Sequence, residues 1–216
     1  AKKQIGADGL RGGGGPEGRA QDMATRSQGT DAILRALLAR YVAIEPAALH
    51  FGRASKGRPY LLHAGAPDFN FSDTTGGCVL AVAGSGRVGI DIEHCDRAPA
   101  VARLAARWFA PDEAKALLEL GTDAARRAFL RLWTAKEASC KATGTGIYGR
   151  LSAWRFTLGA DDASPRAVGL PAEAGAAQPW PFHRLAPAVS PTVALARCSH
   201  GAEPEVFHRR FGSRGV

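Results

Sequence analysis

The sequence predicts an α+β fold, and three observations carry that reading. Apolar strand patterns arrive in runs joined by short Gly-rich or polar turns, too tight for a parallel crossover. Long helical patterns are grouped between those runs instead of alternating with single strands. The resulting order is helix, antiparallel strands, helices, antiparallel strands. It divides into two similar halves packed together, although no repeat is visible at the residue level. A chain of 216 residues can bury one large core or two small ones.

Residues 1–25 are expected to form a disordered or leader segment, since they hold four consecutive glycines and almost no apolar periodicity. Lys2 and Lys3 precede that polar stretch instead of an apolar run, so it does not read as a secretory signal. From Thr30 onward, Ile33, Leu34, Leu37, Leu38 and Tyr41 recur at helical spacing. Thr30 or Asp31 can cap that helix, and Glu45-Pro46 closes it. Four strand patterns follow: "ALHFGRA", "DFNFSDT", "CVLAVAG" and "RVGIDIE". Gly84 to Gly86, between the last two, reads as a tight hairpin, which excludes a βαβ unit and with it a dinucleotide-binding fold. Helices are expected at about 99–108, 111–120 and 123–142, the second opened by Pro111-Asp112-Glu113. Beyond the Gly144/Gly146 loop lie three more strand patterns, "SAWRFTL", "WPFHRLA" and "TVALARC". Residues 159–178, rich in Ala, Gly and Pro, are expected to be a loop. The expected divisions are an N-terminal α+β half over 26–97, a C-terminal α+β half over 98–200 and a tail over 201–216.

Apolar residues make up 45% and charged residues 22%, ordinary for a soluble globular protein. No run of about 18 apolar residues exists that could cross a membrane. Cys78, Cys95, Cys140 and Cys198 show no CxxC spacing and are expected to be free thiols in a cytoplasmic protein. The six histidines never approach zinc-ligand spacing. Net charge is +8, with a pI near 9.8, and the basic residues are scattered. Such a field favours an anionic partner: nucleic acid, a nucleotide-like cofactor or an acidic protein.

The chemistry concentrates in two stretches. In "RVGIDIEHCD", Asp91 and Glu93 are two apart on a strand and so share a face, an arrangement that repulsion disfavours. In "RLWTAKEASCKATGTG", Glu137 and Lys141 are four apart on a helix and share a face with Trp133 and Phe129. Taken singly, each has a bland explanation: a solvated strand face, or a surface Glu–Lys pair. Taken together, three carboxylates from a strand and a helix make a hard oxygen site suited to Mg²⁺, with lysines placed to offset phosphate charge. The residue types point to metal-assisted chemistry at a phosphate.

"VGIDIE" followed some forty residues later by "LWTAKEASCKATGTG" resembles the paired signature of the 4′-phosphopantetheinyl transferase superfamily. "RWFAPDEAKALL", "KGRPYL" and "DFNFSDT" are similar to three further family segments, and Arg26 and Arg35 match two arginines of its first helix. The likeness is greatest to the surfactin-type (Sfp-type) monomeric branch. It implies a pseudo-dimer of two α+β halves with the active site between them. The activity it implies moves the 4′-phosphopantetheine arm of coenzyme A to a serine of an apo carrier protein, acyl, polyketide or peptidyl, releasing 3′,5′-ADP. On that resemblance Asp91, Glu93 and Glu137 would hold Mg²⁺ or Mn²⁺, Glu137 would activate the serine, and Lys141 would stabilise the diphosphate, supported by Lys136. Arg26, Gly57, Arg58, Pro59, Ser72 and Asp73 would line the nucleotide and its phosphates. The family has His where this chain has Asp73, which leaves an anion beside the expected 3′-phosphate position. The family's opening strand and basic segment have no clear counterpart in residues 1–25.

Two other readings start from the same residues. A metal-dependent nuclease would use the acids and lysines but leave the G-R-P and F-N-F-S segments unexplained. A non-catalytic nucleic-acid-binding module would gather basic and aromatic residues into one stripe, and no such stripe is visible. Neither nucleic acid nor membrane is therefore an expected partner.

Overall fold

Helix α1 (Pro16–Val42) comes first, with proline at the first helical position, where its fixed φ and missing N–H cost nothing. The computed structural model describes residues 16–74, 77–148, 151–159, 166–175, 182–185 and 191–198, with side chains between 29 and 175 within those ranges. The helix begins well before Thr30, so residues 16–25 of the segment expected to be disordered are helical. Arg19, Ala20, Gln21, Met23 and Ala24 are good helix formers, and they continue the helix without an apolar stripe to announce it. Its core contacts come from Leu38, flanked by Leu34, Ala39 and Val42, which pack with Leu49, Leu61 and Phe69. Ile33 and Tyr41, expected on the same face, are exposed.

Strands β1 (Phe51–Arg53) and β2 (Pro59–Leu61) form a small antiparallel pair around a turn in which Gly57 has φ +86°. The short β2 was not legible in the sequence. Strand β3 (Asp68–Thr74) pairs antiparallel with β4 (Gly77–Ala83), placing Asp73 opposite Cys78. β5 (Arg87–His94) does not complete the predicted hairpin. β4 bonds to β3, while β5 bonds to β9 (Pro191–Cys198), which also pairs with β8 (Phe182–Leu185). The Gly-rich turn brings β4 and β5 together, but a turn fixes only proximity. The backbone partner of β5 lies about a hundred residues further on, beyond reach of a local signal.

β5 is nonetheless held to β3 by side chains. The Val88 N–H donates to Asp68 Oδ2 at 2.8 Å and the Ile90 N–H donates to Asn70 Oδ1 at 2.8 Å. The Ser72 hydroxyl donates to Asp91 Oδ1 at 2.9 Å. Asp68, Asn70 and Ser72 alternate along β3 and share one face, so they meet β5 rung by rung.

Helices α2 (Val101–Trp108), α3 (Pro111–Leu118) and α4 (Thr122–Thr143) fall close to their predicted positions. Among them Phe109, Phe129 and Trp133 form an aromatic stack, with ring centroids 5.1 Å and 5.6 Å apart along it. Gly144, in the left-handed region at φ +70°, ends α4. β6 (Arg155–Thr157) pairs with β7 (Arg166–Gly169), a strand lying inside the segment predicted to be a loop. Among the described residues every strand pair is antiparallel, in keeping with the α+β reading.

One contact fixes how α4 meets β5. A Cβ on Gly89 would lie 1.9 Å from the Ala138 carbonyl oxygen and 2.5 Å from the Ala142 nitrogen. The backbone of α4 therefore rests on the backbone of β5 at Gly89, an approach that only glycine permits. Ala138 and Ala142, both fully buried, keep the helix side of that contact equally slim.

Candidate active site

Gly89, Asp91 and Glu93 share the face of β5 that meets α4. Glu137 and Lys141 immediately precede Ala138 and Ala142, so the seating of α4 at Gly89 brings both beside the acids of β5. The Lys141 ammonium donates to Asp91 Oδ1 at 2.6 Å, to Ser72 Oγ at 2.9 Å and to the Ile90 carbonyl at 3.3 Å. Asp91 is 4% exposed, which rejects the solvated-face explanation, and its Oδ2 is buried without any hydrogen-bond partner. Glu93 is paired with the Arg97 guanidinium, which also lies over the Trp133 ring, 5.9 Å from its centroid.

The electrostatics are those of acids crowded out of water. Burial pushes Asp91 above the usual carboxylate range, against the pull of Lys141 and Ser72. Burial also raises Glu93, with Arg97 opposing and Asp91 adding to the rise. Glu137 is pushed up to about 7, first by burial and then by the charge of Asp91, with Lys141 opposing. A carboxyl titrating near neutrality can both accept and return a proton.

That shift has a stability consequence with a definite sign. Glu137 is raised in the folded protein, so its protonated form is the one the fold prefers. Its contribution is full below about 4.5, the ordinary glutamate value, and is lost as pH climbs through about 7. Glu137→Gln should therefore match wild type in chemical denaturation at pH 4. It should exceed wild type by up to about 3 kcal/mol at pH 8. Equal stability of the two proteins at both pH values would refute the assignment.

The remaining expected residues divide sharply. Ser72 is buried at the acid cluster, and Asp73 is exposed on the neighbouring β3 position. Gly57 and Pro59 lie on the exposed and half-buried parts of the β1–β2 turn. Arg26 lies on α1, its side chain outside the described residues. Arg58 turns into the fold. Its guanidinium is 8% exposed and bonds Asp68 Oδ2 at 2.6 Å, the Phe69 and Val88 carbonyls at 3.0 Å each, and the Lys141 carbonyl. These bonds clamp β3, β5 and α4 together. Lys136 turns inward as well. It is fully buried and bonds Glu113 at 2.7 Å, the Leu151 carbonyl at 3.0 Å and the Trp154 carbonyl. One residue before Glu137 it sits about 100° around the helix, and so points into the core instead of the site.

Arg97 was not foreseen. It lies in the turn after β5, four residues beyond Glu93, and that spacing from an acid strand is the one trace the sequence carries of it.

The donor set fits a hard divalent cation. All three carboxylates offer hard oxygen donors, the charges of Asp91 and Glu93 raise Glu137, and Asp91 Oδ2 is orphaned. Among the described residues, no three His, Cys, Asp or Glu side chains already converge tightly enough to hold a metal. Lys141 and Arg97 instead engage Asp91 and Glu93. No helix among the described residues is long and apolar enough to cross a membrane.

Residues 87–189 match the family described as the 4′-phosphopantetheinyl transferase superfamily. The chain is 31% identical over 179 residues to the 4′-phosphopantetheinyl transferase HetI of Nostoc sp., covering 82% of this chain and 72% of that one. It is 30% identical over 118 residues to a 4′-phosphopantetheinyl transferase of Bacillus subtilis, covering 54% of this chain and 51% of that one. It is 28% identical over 117 residues to the transferase Sfp of Bacillus subtilis strain 168, covering 54% of this chain and 51% of that one. Against both Bacillus relatives the match spans about half of their length.

Proposed function

Because this chain belongs to the 4′-phosphopantetheinyl transferase superfamily, we propose that it moves the phosphopantetheine arm of coenzyme A onto a serine of an apo carrier protein. The observation that carries the reading is the half-buried Lys141 ammonium held by buried Asp91 and Ser72, with Glu137 raised to about 7 beside it. Acid, ammonium and a near-neutral carboxyl side by side suit attack on a diphosphate better than cutting of a nucleic-acid backbone read along a basic stripe.

In this reading the carrier serine oxygen bonds to the phosphorus that bears the pantetheine arm. The diphosphate bond breaks, and 3′,5′-ADP leaves with the electron pair. Glu137 takes the serine proton, directly or through water, and its elevated affinity for protons matches that task. Lys141 faces the charge that gathers on the leaving phosphate, and Ser72 and Asp91 hold its ammonium in place. Asp91, Glu93 and Glu137 are the residues that would hold Mg²⁺ or Mn²⁺. When bound, such an ion neutralises the diphosphate as a Lewis acid. Gly57, Pro59, Ser72 and the helix carrying Arg26 form the expected nucleotide side, with Asp73 the residue that fits it least. A pseudo-dimeric organisation belongs to the same proposal: Ser72 and Asp91 come from the 26–97 half, Glu137 and Lys141 from the 98–200 half. So do a cytoplasmic location and action as a monomer.

The deciding experiment incubates the protein with coenzyme A, Mg²⁺ and apo carriers of the fatty-acid, polyketide and peptide types, read by intact mass. A carrier heavier by one phosphopantetheine, with 3′,5′-ADP in the filtrate, is the expected result. A folded protein that modifies no carrier in any arm would overturn the proposal.

A further inference from the structure

Asp91 and Glu93 stand differently towards an ion. Asp91 gives one oxygen to Lys141 and Ser72 and keeps the other unpartnered. It can therefore take a cation without dismissing its lysine. Glu93 has its charge already compensated by the Arg97 guanidinium, and its side chain is only 16% exposed. A cation gains less at a carboxylate that another cation holds, and gains less still where water cannot screen the incumbent. Arg97 also has somewhere to go. Its side chain is 41% exposed and already lies over Trp133, one helical turn before Glu137. Released from Glu93, it keeps the ring contact and gains solvent.

We propose that Arg97 is an internal rival for Glu93, and that its hold on this carboxylate sets the affinity of the acid cluster for a divalent cation. The inference rests on the ion-site reading above, and it adds that the affinity is set from outside the ligand set. Removing the guanidinium should tighten ion binding, the opposite of what loss of a helpful site residue would do.

The test is calorimetric titration of the full chain with MnCl₂ alone, without coenzyme A or carrier, so that catalysis plays no part. Arg97→Gln is expected to lower the Kd for Mn²⁺ about fivefold, the upper range for a pair with one exposed partner. Arg103→Gln, which removes an exposed positive charge from α2, serves as control and should change Kd by less than about twofold. At about 1 M KCl, where the Debye length is ~3 Å, any shift in the control should vanish and the Arg97→Gln shift should persist. An unchanged or weaker Kd in Arg97→Gln, or an equal gain in Arg103→Gln, overturns the rivalry. Absence of Mn²⁺ binding in wild type, or full binding retained in Asp91→Asn, is a different failure and removes the ion site beneath it.

Discussion

Asp91→Asn is expected to lower kcat by roughly 10²-fold or more, about 2.7 kcal/mol of barrier, with the fold intact. The substitution preserves shape, and the amide oxygen can still accept from Lys141 and Ser72, so the packing of β5 against α4 survives. What disappears is the charge, together with the second carboxylate oxygen that has no partner inside the protein. Burial disfavours the charged form of Asp91 on balance, against the pull of Lys141 and Ser72, so loss of the charge relieves the fold. Melting temperature should therefore stay level or rise while turnover collapses. Near-normal turnover of Asp91→Asn at saturating Mg²⁺, in the carrier assay, would show that the assigned ligand is wrong.

Lys136→Ala should cost about 3–5 kcal/mol of stability, the largest structural effect expected from a single side chain here. Lys136 is fully buried with Glu113, whose carboxylate also accepts the Ala110 N–H at 3.0 Å and the Phe156 N–H at 2.8 Å. The ammonium lies 4.8 Å from the Phe109 ring centroid, under the aromatic stack. One ion pair thus joins the start of α3, the middle of α4 and the edge of β6. Burial pulls the Lys136 pKa down, and the charge and hydrogen bond of Glu113 oppose that pull. Truncating the lysine leaves Glu113 charged, buried and without its cation. The double variant Lys136→Met with Glu113→Gln removes both charges and should recover a large part of the loss. Urea unfolding of the single and double variants measures both effects. A single variant as stable as wild type would show that the pair is not what joins these elements.

The parts of the fold that proved legible are those whose signal is local. α2, α3 and α4 were visible because apolar spacing, Pro111 and Gly144 mark them within a few residues. β3 and β5 were visible because alternation is short-ranged too. The pairing of β5 with β9 was not visible, since the partner is chosen by packing over the whole chain. β7 was missed because its "RAVG" core sits in Ala/Gly-rich sequence with little β propensity. At the site, spacing located the shared face of Asp91 and Glu93 and the shared face of Glu137 and Lys141, because strand and helix periods dictate faces. Spacing could not locate the far ends of long side chains. Arg58 and Lys136 stand in motif positions, yet their charged ends turn inward to carbonyls and acids contributed by distant segments. Arg97 was overlooked for the same reason in reverse, as a loop residue whose reach brings it back to Glu93.

The three rungs between β3 and β5 give this part of the molecule an unusual kind of spelling. An ordinary sheet is joined by peptide groups, which every residue possesses, so its joins cannot be altered one at a time by changing letters. Here the amides of Val88 and Ile90 donate to Asp68 and Asn70, and the Ser72 hydroxyl donates to Asp91, so each join is written in the identity of a β3 side chain. Drift at any of those three positions erases one rung and leaves its neighbours standing. The alignment of the strand bearing the acids is thus inherited as three separate characters and can be edited, or lost, one character at a time.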